Sequence, residues 1–276
     1  MANFESGKDI KEITEQLEAG VKEVFTSGKF ADYLATMAKF YDYSANNCLL
    51  IMMQNPAATH VASYKKWQSD FKRQVRKGEK SIKILAPIQH KAVKEVKNEK
   101  GEIEQQEVHW LTFKAVPVFD ISQTDGEELP SLMHDLMGDL EQYYEKMEAL
   151  KAVSPVPIEF EDITSGAHGY FSPAEKRIAI KLGMSAQQTF KTTVHEIAHA
   201  ILHCEGGEQE NADRDTMEVQ AESVAYTVCS YMGIETSEYS FGYVAGWSGD
   251  KDIKQLTKSL EVIRKTAKTI IDGLQK

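Results

Sequence analysis

Cysteine is scarce in this sequence, with three residues in 276 and no CxxC pair. So few thiols, odd in number, argue against a disulfide framework or a thiolate zinc ribbon and fit a reducing cytosol. Long apolar runs are also missing, because the longest covers about seven residues near 48–53, far short of the ~18 that span a bilayer. The polar opening stretch lacks the order of a secretory signal. We therefore expect a soluble, cytoplasmic protein with no membrane partner.

The overall composition is that of a globular protein. Apolar residues make up 42% and charged residues 27% of the chain, which is enough to build a sizeable core. A length of 276 residues suits one large domain or two ordinary ones. Disordered and fibrous classes are excluded.

Positive charge is concentrated in one stretch of an otherwise acidic chain. The net charge is −10, yet residues 61–100 hold twelve lysines and arginines against four acidic residues, so that stretch carries +8. Such a concentration indicates a local binding site for a polyanion. A solvated face with no partner is the alternative that composition leaves open.

The hydrophobic pattern predicts an α+β chain. Apolar residues at helical spacing predict helices over 4–25, 30–40, 44–53, 61–75, 131–152, 186–204, 215–232 and 250–274. Alternating or β-branched runs predict strands over 81–87, 109–119, 157–162 and 177–182, the last of them at a sheet edge. The polar stretch 120–130 predicts a linker. We therefore expect two domains, 1–125 and 126–276, the first helical with a small antiparallel sheet.

The strongest chemical signal is an HExxH pattern at 195–199. It lies in an apolar stripe of helical period, and Ser185 with Gln188 can form the capping box that starts the helix. Residues four apart share a helix face, so His195 and His199 can direct two imidazoles at one ion while Glu196 flanks them. The pattern predicts a catalytic metal site.

A catalytic zinc site needs a third protein ligand, and the next predicted helix offers two glutamates one turn apart. Glu218 follows His199 after eighteen residues, a spacing that resembles the gluzincin metallopeptidases. In that family a second acid one turn later accepts a hydrogen bond from a ligand imidazole, and here Glu222 occupies that position. Two alternatives remain: Asp215 as N-cap would give Glu218 a capping role, or the two glutamates exchange roles.

These residue types define a hydrolytic mechanism. His195, His199 and Glu218 would hold one Zn²⁺ per chain, although Mn²⁺ or another dication suits the same ligands. The ion makes its water acidic near neutral pH and polarises a peptide carbonyl. Glu196 would accept the proton and pass it to the leaving amine.

Other polar residues near the pattern carry weaker signals. His203 lies one turn beyond His199, where a histidine usually caps or packs. Tyr170, Tyr239 and Tyr243 could donate to an oxyanion, although aromatic residues in such segments usually fill volume. No role is predicted for the remaining histidines.

Three further stretches in the first half of the sequence indicate a particular family. The run YSANN at 43–47, the W-x3-F-x3-VRKGEK stretch at 67–80 and VFD-x2-QT at 118–124 resemble the ArdC-type antirestriction N-terminal domain. The second half resembles the zincin-like domain that accompanies it and the related ImmA/IrrE-type metallopeptidases. The resemblance spans about residues 30–247 and implies a mobile-element protein whose N-terminal domain binds single-stranded DNA.

This resemblance assigns the basic stretch to phosphate contacts. If the stripe of Tyr64, Trp67, Phe71 and Val75 is a buried helix face, base stacking must come from elsewhere. Two rival functions stay open: a DNA-coating protein with a structural metal, and a stand-alone regulatory peptidase that cuts a repressor. The candidate DNA-binding residues are Lys65, Lys66, Lys72, Arg73, Arg76, Lys77 and Lys80.

Overall fold

The computed structural model describes residues 6–97, 103–129, 140–239 and 241–276. It has the α+β composition that the sequence predicts. Three helices open the chain close to their predicted positions. Their bounds are α1 Ser6–Thr26, α2 Phe30–Lys39 and α3 Ala45–Gln54.

The prediction of one helix over 61–75 is wrong. The segment folds as β1 Val61–Ala62, α4 Tyr64–Ser69 and β2 Arg73–Val75. Ser63 caps the short helix by accepting the backbone N–H of Lys66, and Lys72 has a positive φ of 50° that no helix continues through. The apolar stripe is therefore split between a helix and a strand.

A long hairpin follows, made of β3 Ile82–Lys97 and β4 Ile103–Asp120. β1 pairs with the end of β4. The prediction of a linker over 120–130 is also wrong for residues 121–126. A 3-10 turn at Ile121–Gln123 leads into β5 Thr124–Gly126, which pairs antiparallel with β2. Position 130 lies outside the described residues.

Asp120 ties this region together. Its carboxylate accepts the backbone N–H groups of Thr59, His60 and Ser122 at 2.8 to 3.1 Å. Gln123 completes the capping box with its Oε1 on the Asp120 N–H, and its Nε2 donates to the Lys80 carbonyl at 2.8 Å. The VFD-x2-QT motif thus joins the loop before β1, the turn after β4 and the loop before β3.

Side-chain amides from α3 protect the free edge of β3. Asn47 pairs with both backbone polar groups of Leu85, and Gln54 pairs with those of Lys83, at 2.8 to 2.9 Å. These contacts replace the hydrogen bonds of a missing neighbouring strand.

The second half begins with helix α5 and a three-stranded sheet. The elements are α5 Leu140–Val153, β6 Ile158–Glu161, β7 Gly169–Ser172 and β8 Arg177–Lys181. Residues 131–139 of the helix predicted over 131–152 lie outside the described residues. The strand order is β6-β8-β7, so β8 is central and its predicted place at an edge is wrong. β7, which is not among the strands predicted from the sequence, is an edge strand that runs antiparallel to β8.

The remaining helices close the structure. They are α6 Ala186–Leu202, α7 Arg214–Tyr231, α8 Val244–Ser248 and α9 Ile253–Leu274. Buried residues of the N-terminal helices, such as Leu34 and Leu50, belong to the same apolar cluster as Val224 in α7 and Ile263 in α9. None of the helices in the described ranges combines the length and apolar composition needed to cross a membrane.

Candidate metal centre

Helix α6 carries the HExxH pattern. Ser185 is its N-cap, as predicted, and accepts the backbone N–H of Gln188 at 3.2 Å. The returning half of the predicted capping box is not formed, and the Gln188 amide donates to the Thr192 hydroxyl at 3.2 Å. Val194 and Ile197 are fully buried in the core. His195 and His199, one turn apart, project from the same side of the helix toward α7.

Helix α7 supplies the third side chain. Its N-cap is Asp213, which accepts the backbone N–H of Thr216 at 2.8 Å. The alternative with Asp215 as N-cap and Glu218 in the capping box is therefore wrong. Trp247 also holds the start of the helix by donating to the Thr216 hydroxyl at 2.9 Å. Glu218 is left free to face the two imidazoles.

Three side-chain ligand atoms converge between α6 and α7. The Nε2 atoms of His195 and His199 lie 3.1 Å apart, and Oε2 of Glu218 lies 3.6 and 3.7 Å from them. Two ligands 2.1 Å from a tetrahedral ion are themselves about 3.4 Å apart. All three separations are close to that value, so this set fits one divalent cation.

The charge states of these groups suit ligation. Burial lowers the pKa of His195 to about 4, with the neighbouring His199 acting in the same direction and Glu218 opposing. Hydrogen bonding to His199 lowers the pKa of Glu218. A neutral imidazole and an ionised carboxylate are the forms that bind a metal.

Glu196 lies beside this set, and its side chain is only 7% exposed. Burial raises the pKa of its carboxyl to about 7, although His199 and the backbone N–H of Phe171 in β7 act to lower it. A cation bound nearby would also act to lower the pKa of Glu196. A carboxylate with a pKa near neutrality can accept and return a proton.

His203 contacts His199, one of the two predicted ligand imidazoles. The sequence had indicated Glu222, not His203, as the hydrogen-bond partner of a ligand imidazole. Its Nδ1 lies 2.9 Å from Nδ1 of His199, and its Nε2 lies 3.2 Å from Oε1 of Gln220. Gln220 in turn reaches Ser259 of α9 at 3.4 Å. A His199 that binds through Nε2 carries its proton on Nδ1, so His203 accepts that proton in a hydrogen bond and donates its own to Gln220.

The other predicted side chains fall around the site. Glu222 accepts a hydrogen bond from the Tyr243 hydroxyl, and its contact with a ligand imidazole stays a prediction. Tyr170 donates to Glu161 at 2.8 Å, so its hydroxyl is engaged within the sheet. Tyr239 lies in the cleft described next.

A cleft of about 360 Å³ runs along α6 beside the edge strand β7. Gly169 allows β7 to lie close to α6, because a Cβ at this position would lie 2.7 Å from Thr192 Cγ2 and 2.9 Å from the Ala179 carbonyl oxygen. The sequence indicated no role in the site for three residues that line this cleft. His168 is brought to the HExxH helix only by the tertiary fold, whereas Gln188 and Lys191 lie on that helix without a characteristic spacing. Its lining residues are His168, Gly169, Gln188, Lys191, Thr192, His195, Glu196, Glu222, Glu238 and Tyr239.

The predicted DNA-binding cations divide into two groups. The Arg73 guanidinium is held by hydrogen bonds within the chain, since it donates to the side chain and to the carbonyl of Thr124 at 2.7 and 2.9 Å. Arg76 pairs with Glu79 at 2.8 Å. The lysines of the set are exposed, and Lys72 lies 3.6 Å from Glu127. The exposed lysines are Lys65, Lys66, Lys72, Lys77 and Lys80.

Residues 8–119 match the family model described as the N-terminal domain of anti-restriction factor ArdC. The match runs from α1 to the end of β4. This part of the chain is similar to the ArdC N-terminal domain. The resemblance predicted from the sequence motifs is confirmed.

Two solved structures of the antirestriction ArdC protein from the R388 plasmid, one metal-free and one Mn(II)-bound, are similar to the chain. Their TM-scores are 0.51 and 0.52 at 20% identity, over 84% of this chain and 85% of that one. At this identity the comparison establishes the fold, which extends beyond the matched ArdC domain into the half that holds the candidate metal centre.

A curated relative comes from Bacillus anthracis, the uncharacterized protein pXO2-81. It is 29% identical to the chain over 98% of the chain's length and 52% of its own. The chain therefore spans about half the length of this relative.

Proposed function

We propose that this protein is a mobile-element antirestriction-like protein that binds single-stranded DNA and hydrolyses peptide bonds at a metal-dependent HExxH site. The ligands would be His195, His199 and Glu218, arranged as in a gluzincin. One divalent cation per chain is expected, Zn²⁺ by the chemistry of two imidazoles and a carboxylate. Mn²⁺ is the alternative that the R388 relative suggests.

The observation that carries the proposal is the convergence of three ligand atoms next to a buried carboxylate. Those atoms all lie within 4.8 Å of one another, and Glu196 adjoins them at the cleft. A purely structural metal site has no use for a buried acid beside its ligands. This argues against the rival in which the metal only joins two helices.

The residues of the cleft suit the hydrolysis of an extended peptide. A cation in this set would act as a Lewis acid on the scissile carbonyl and on water. Glu196 would take up a proton and deliver it to the leaving amine. The edge strand β7 would align the peptide by strand addition, and Gly169 keeps that strand close to α6.

The nucleic-acid half of the proposal rests on the ArdC N-terminal domain and its exposed lysines. The exposed lysines are Lys65 and Lys66 on α4, Lys72 just before β2, and Lys77 and Lys80 in the turn that follows β2. Flexible ammonium groups in solvent are suited to contact phosphates without sequence preference. The half-buried Arg73 and the exposed Arg76, by contrast, are held by hydrogen bonds within the chain and would shape this surface.

Glu196→Gln tests the hydrolytic step. The amide cannot accept a proton but occupies the same volume, so we expect full metal binding and loss of hydrolysis by about 100-fold or more. The measurement pairs zinc content with cleavage of fluorescein-labelled casein at equimolar zinc. Glu205→Gln, an exposed change just beyond α6, is the matched control and should retain both properties. Equal casein cleavage by wild type and Glu196→Gln would refute the mechanism.

A further inference from the structure

The outer part of the β3–β4 hairpin is a largely exposed arm. We define the arm as residues 86–97 and 103–114. Its strands pair in continuous register, and large apolar side chains lie on its surface. The exposed fractions are 61% for Val93, 45% for Trp110, 58% for Leu111 and 49% for Phe113. So much exposed apolar surface on one element marks a binding surface.

The register separates the arm into two chemically different faces. Directly paired residues share a face, and the faces alternate along each strand. The pair His90–Trp110 shares one face with Lys94 and Lys114. Between positions 86 and 94 and between 108 and 114 this face includes no aspartate or glutamate, and the register places one glutamate, Glu104 opposite Val96, farther along the strands. We call it the Trp110 face.

The opposite face differs in charge. It holds the pairs Lys91–His109 and Val93–Glu107, together with Leu111 and Phe113. Glu107 lies 3.6 Å from the Lys91 ammonium, so the positive charge on this side is partly neutralised. A polyanion would therefore favour the Trp110 face.

The aromatic pair on the Trp110 face is held in a flat arrangement. The rings of His90 and Trp110 stack with centroids 5.2 Å apart and an interplanar angle of 12°. His90 Nε2 lies 2.7 Å from the Thr112 hydroxyl on the same face, which fixes the imidazole. With His90 on one side of the indole, the remaining exposed ring surface is available to a planar ligand.

We propose that the Trp110 face is a stacking site for unpaired nucleobases. A base would stack on Trp110, while Lys94 and Lys114 contact phosphates on either side. Each lysine is four positions from the stacked pair along its own strand, about 13 Å at 3.3 Å per residue. This inference rests on the proposed binding of single-stranded DNA and supplies the stacking residues that the buried Trp67 cannot provide.

Intrinsic fluorescence gives a direct test, because the three tryptophans of the chain differ in exposure. Trp67 is 0% and Trp247 9% exposed, against 45% for Trp110. Titration of the full chain with oligothymidylate should quench the exposed indole. The quench should be absent in Trp110→Phe, which retains the ring surface but removes the indole signal.

Binding measurements then weigh the contribution of each face. In fluorescence anisotropy with a labelled 20-base single strand, Trp110→Ala should weaken binding about 5- to 100-fold. The matched control Phe113→Ala removes an exposed ring from the opposite face and should leave affinity unchanged. Lys94→Gln should reduce the slope of log affinity against log salt by about 0.7, whereas Lys91→Gln should not.

The outcomes distinguish the arm from the proposed function as a whole. Wild-type binding with equal loss in Trp110→Ala and Phe113→Ala, or with no loss in either, would overturn the Trp110 face and leave DNA binding intact. An absence of wild-type binding at low salt would overturn both. Equal affinity for single strand and duplex would also overturn base stacking, because paired bases are not available to the indole.

Discussion

Individual side chains determine how firmly the ligand imidazoles are oriented. The hydrogen bond between His199 and His203 fixes one ring, and Gln220 fixes His203. A partner of this kind holds the tautomer and raises the basicity of the ligand. His203 is thus a positioning residue that acts through His199.

We expect His203→Ala to weaken zinc binding about 10- to 100-fold, the usual effect of losing such a partner. His203→Asn, which places a carbonyl oxygen near the lost nitrogen, should recover part of this affinity. Competition with a chromogenic chelator measures both, and His109→Ala on the exposed arm is the matched control. Unchanged zinc affinity in His203→Ala would show that His203 only packs.

The sequence predicted the ligand set because its spacing is local. Two histidines four apart need only a helix to meet, and Glu218 needs only the next helix to pack alongside. His168 lines the same cleft from its position just before β7, and Lys191 lines it from α6. Neither residue has a characteristic spacing from the HExxH pattern. The sequence indicated Glu222 as the acceptor of a hydrogen bond from a ligand imidazole and did not indicate that His203 would contact His199. One-turn spacing fits several residues equally well, so the spacing alone did not favour His203.

At the scale of elements, Asp120 holds the end of β4 to the loop before β1. Burial alone would raise the pKa of its carboxyl, but the hydrogen bonds from Ser122, Thr59 and His60 outweigh it and lower the pKa below 3.8. The ionised form therefore stabilises the fold above the pKa of the unfolded chain. This stabilisation is lost as pH falls through the lower, folded-state pKa.

We expect Asp120→Asn to destabilise the protein by about 1–3 kcal/mol at pH 7, because the amide cannot accept all three N–H groups. Urea unfolding at pH 7 and pH 3 measures the change. The difference from wild type should shrink at pH 3, because an aspartate of the unfolded chain is largely protonated there and the advantage of the ionised native carboxylate falls. Asp125→Asn, an exposed neighbour, is the control. A difference that stays constant with pH would contradict this role.

Element boundaries were predicted well where one period dominated and poorly where two overlapped. Tyr64, Trp67 and Phe71 repeat at helical spacing, yet only Trp67 is fully buried, and its indole N–H donates to the Phe119 carbonyl of β4 at 2.8 Å. The positive φ of Lys72 ends the helical geometry, and a lysine gives no sequence signal for that conformation. The pairing of β2 with β5 is a tertiary event that periodicity does not reveal.

At the scale of the whole molecule, α9 joins the two halves of the chain. Glu261 accepts the backbone N–H of Ala45 at the start of α3 at 2.9 Å, and Lys268 pairs with Asp42. The same helix reaches Gln220 through Ser259. The ArdC N-terminal domain is therefore connected through α9 to the residues behind the candidate metal centre, although the predicted boundary at 125 stays a prediction.

The most direct test of the metal centre is a zinc titration of the wild type, Glu218→Gln and Glu222→Gln by calorimetry. We predict one site per chain in the wild type, because one set of three ligand atoms converges in the described residues. Loss of the carboxylate ligand in Glu218→Gln should abolish tight binding, whereas Glu222→Gln, whose described partner is Tyr243, should retain it. Tight binding by Glu218→Gln, or no binding by the wild type, would contradict the proposed centre.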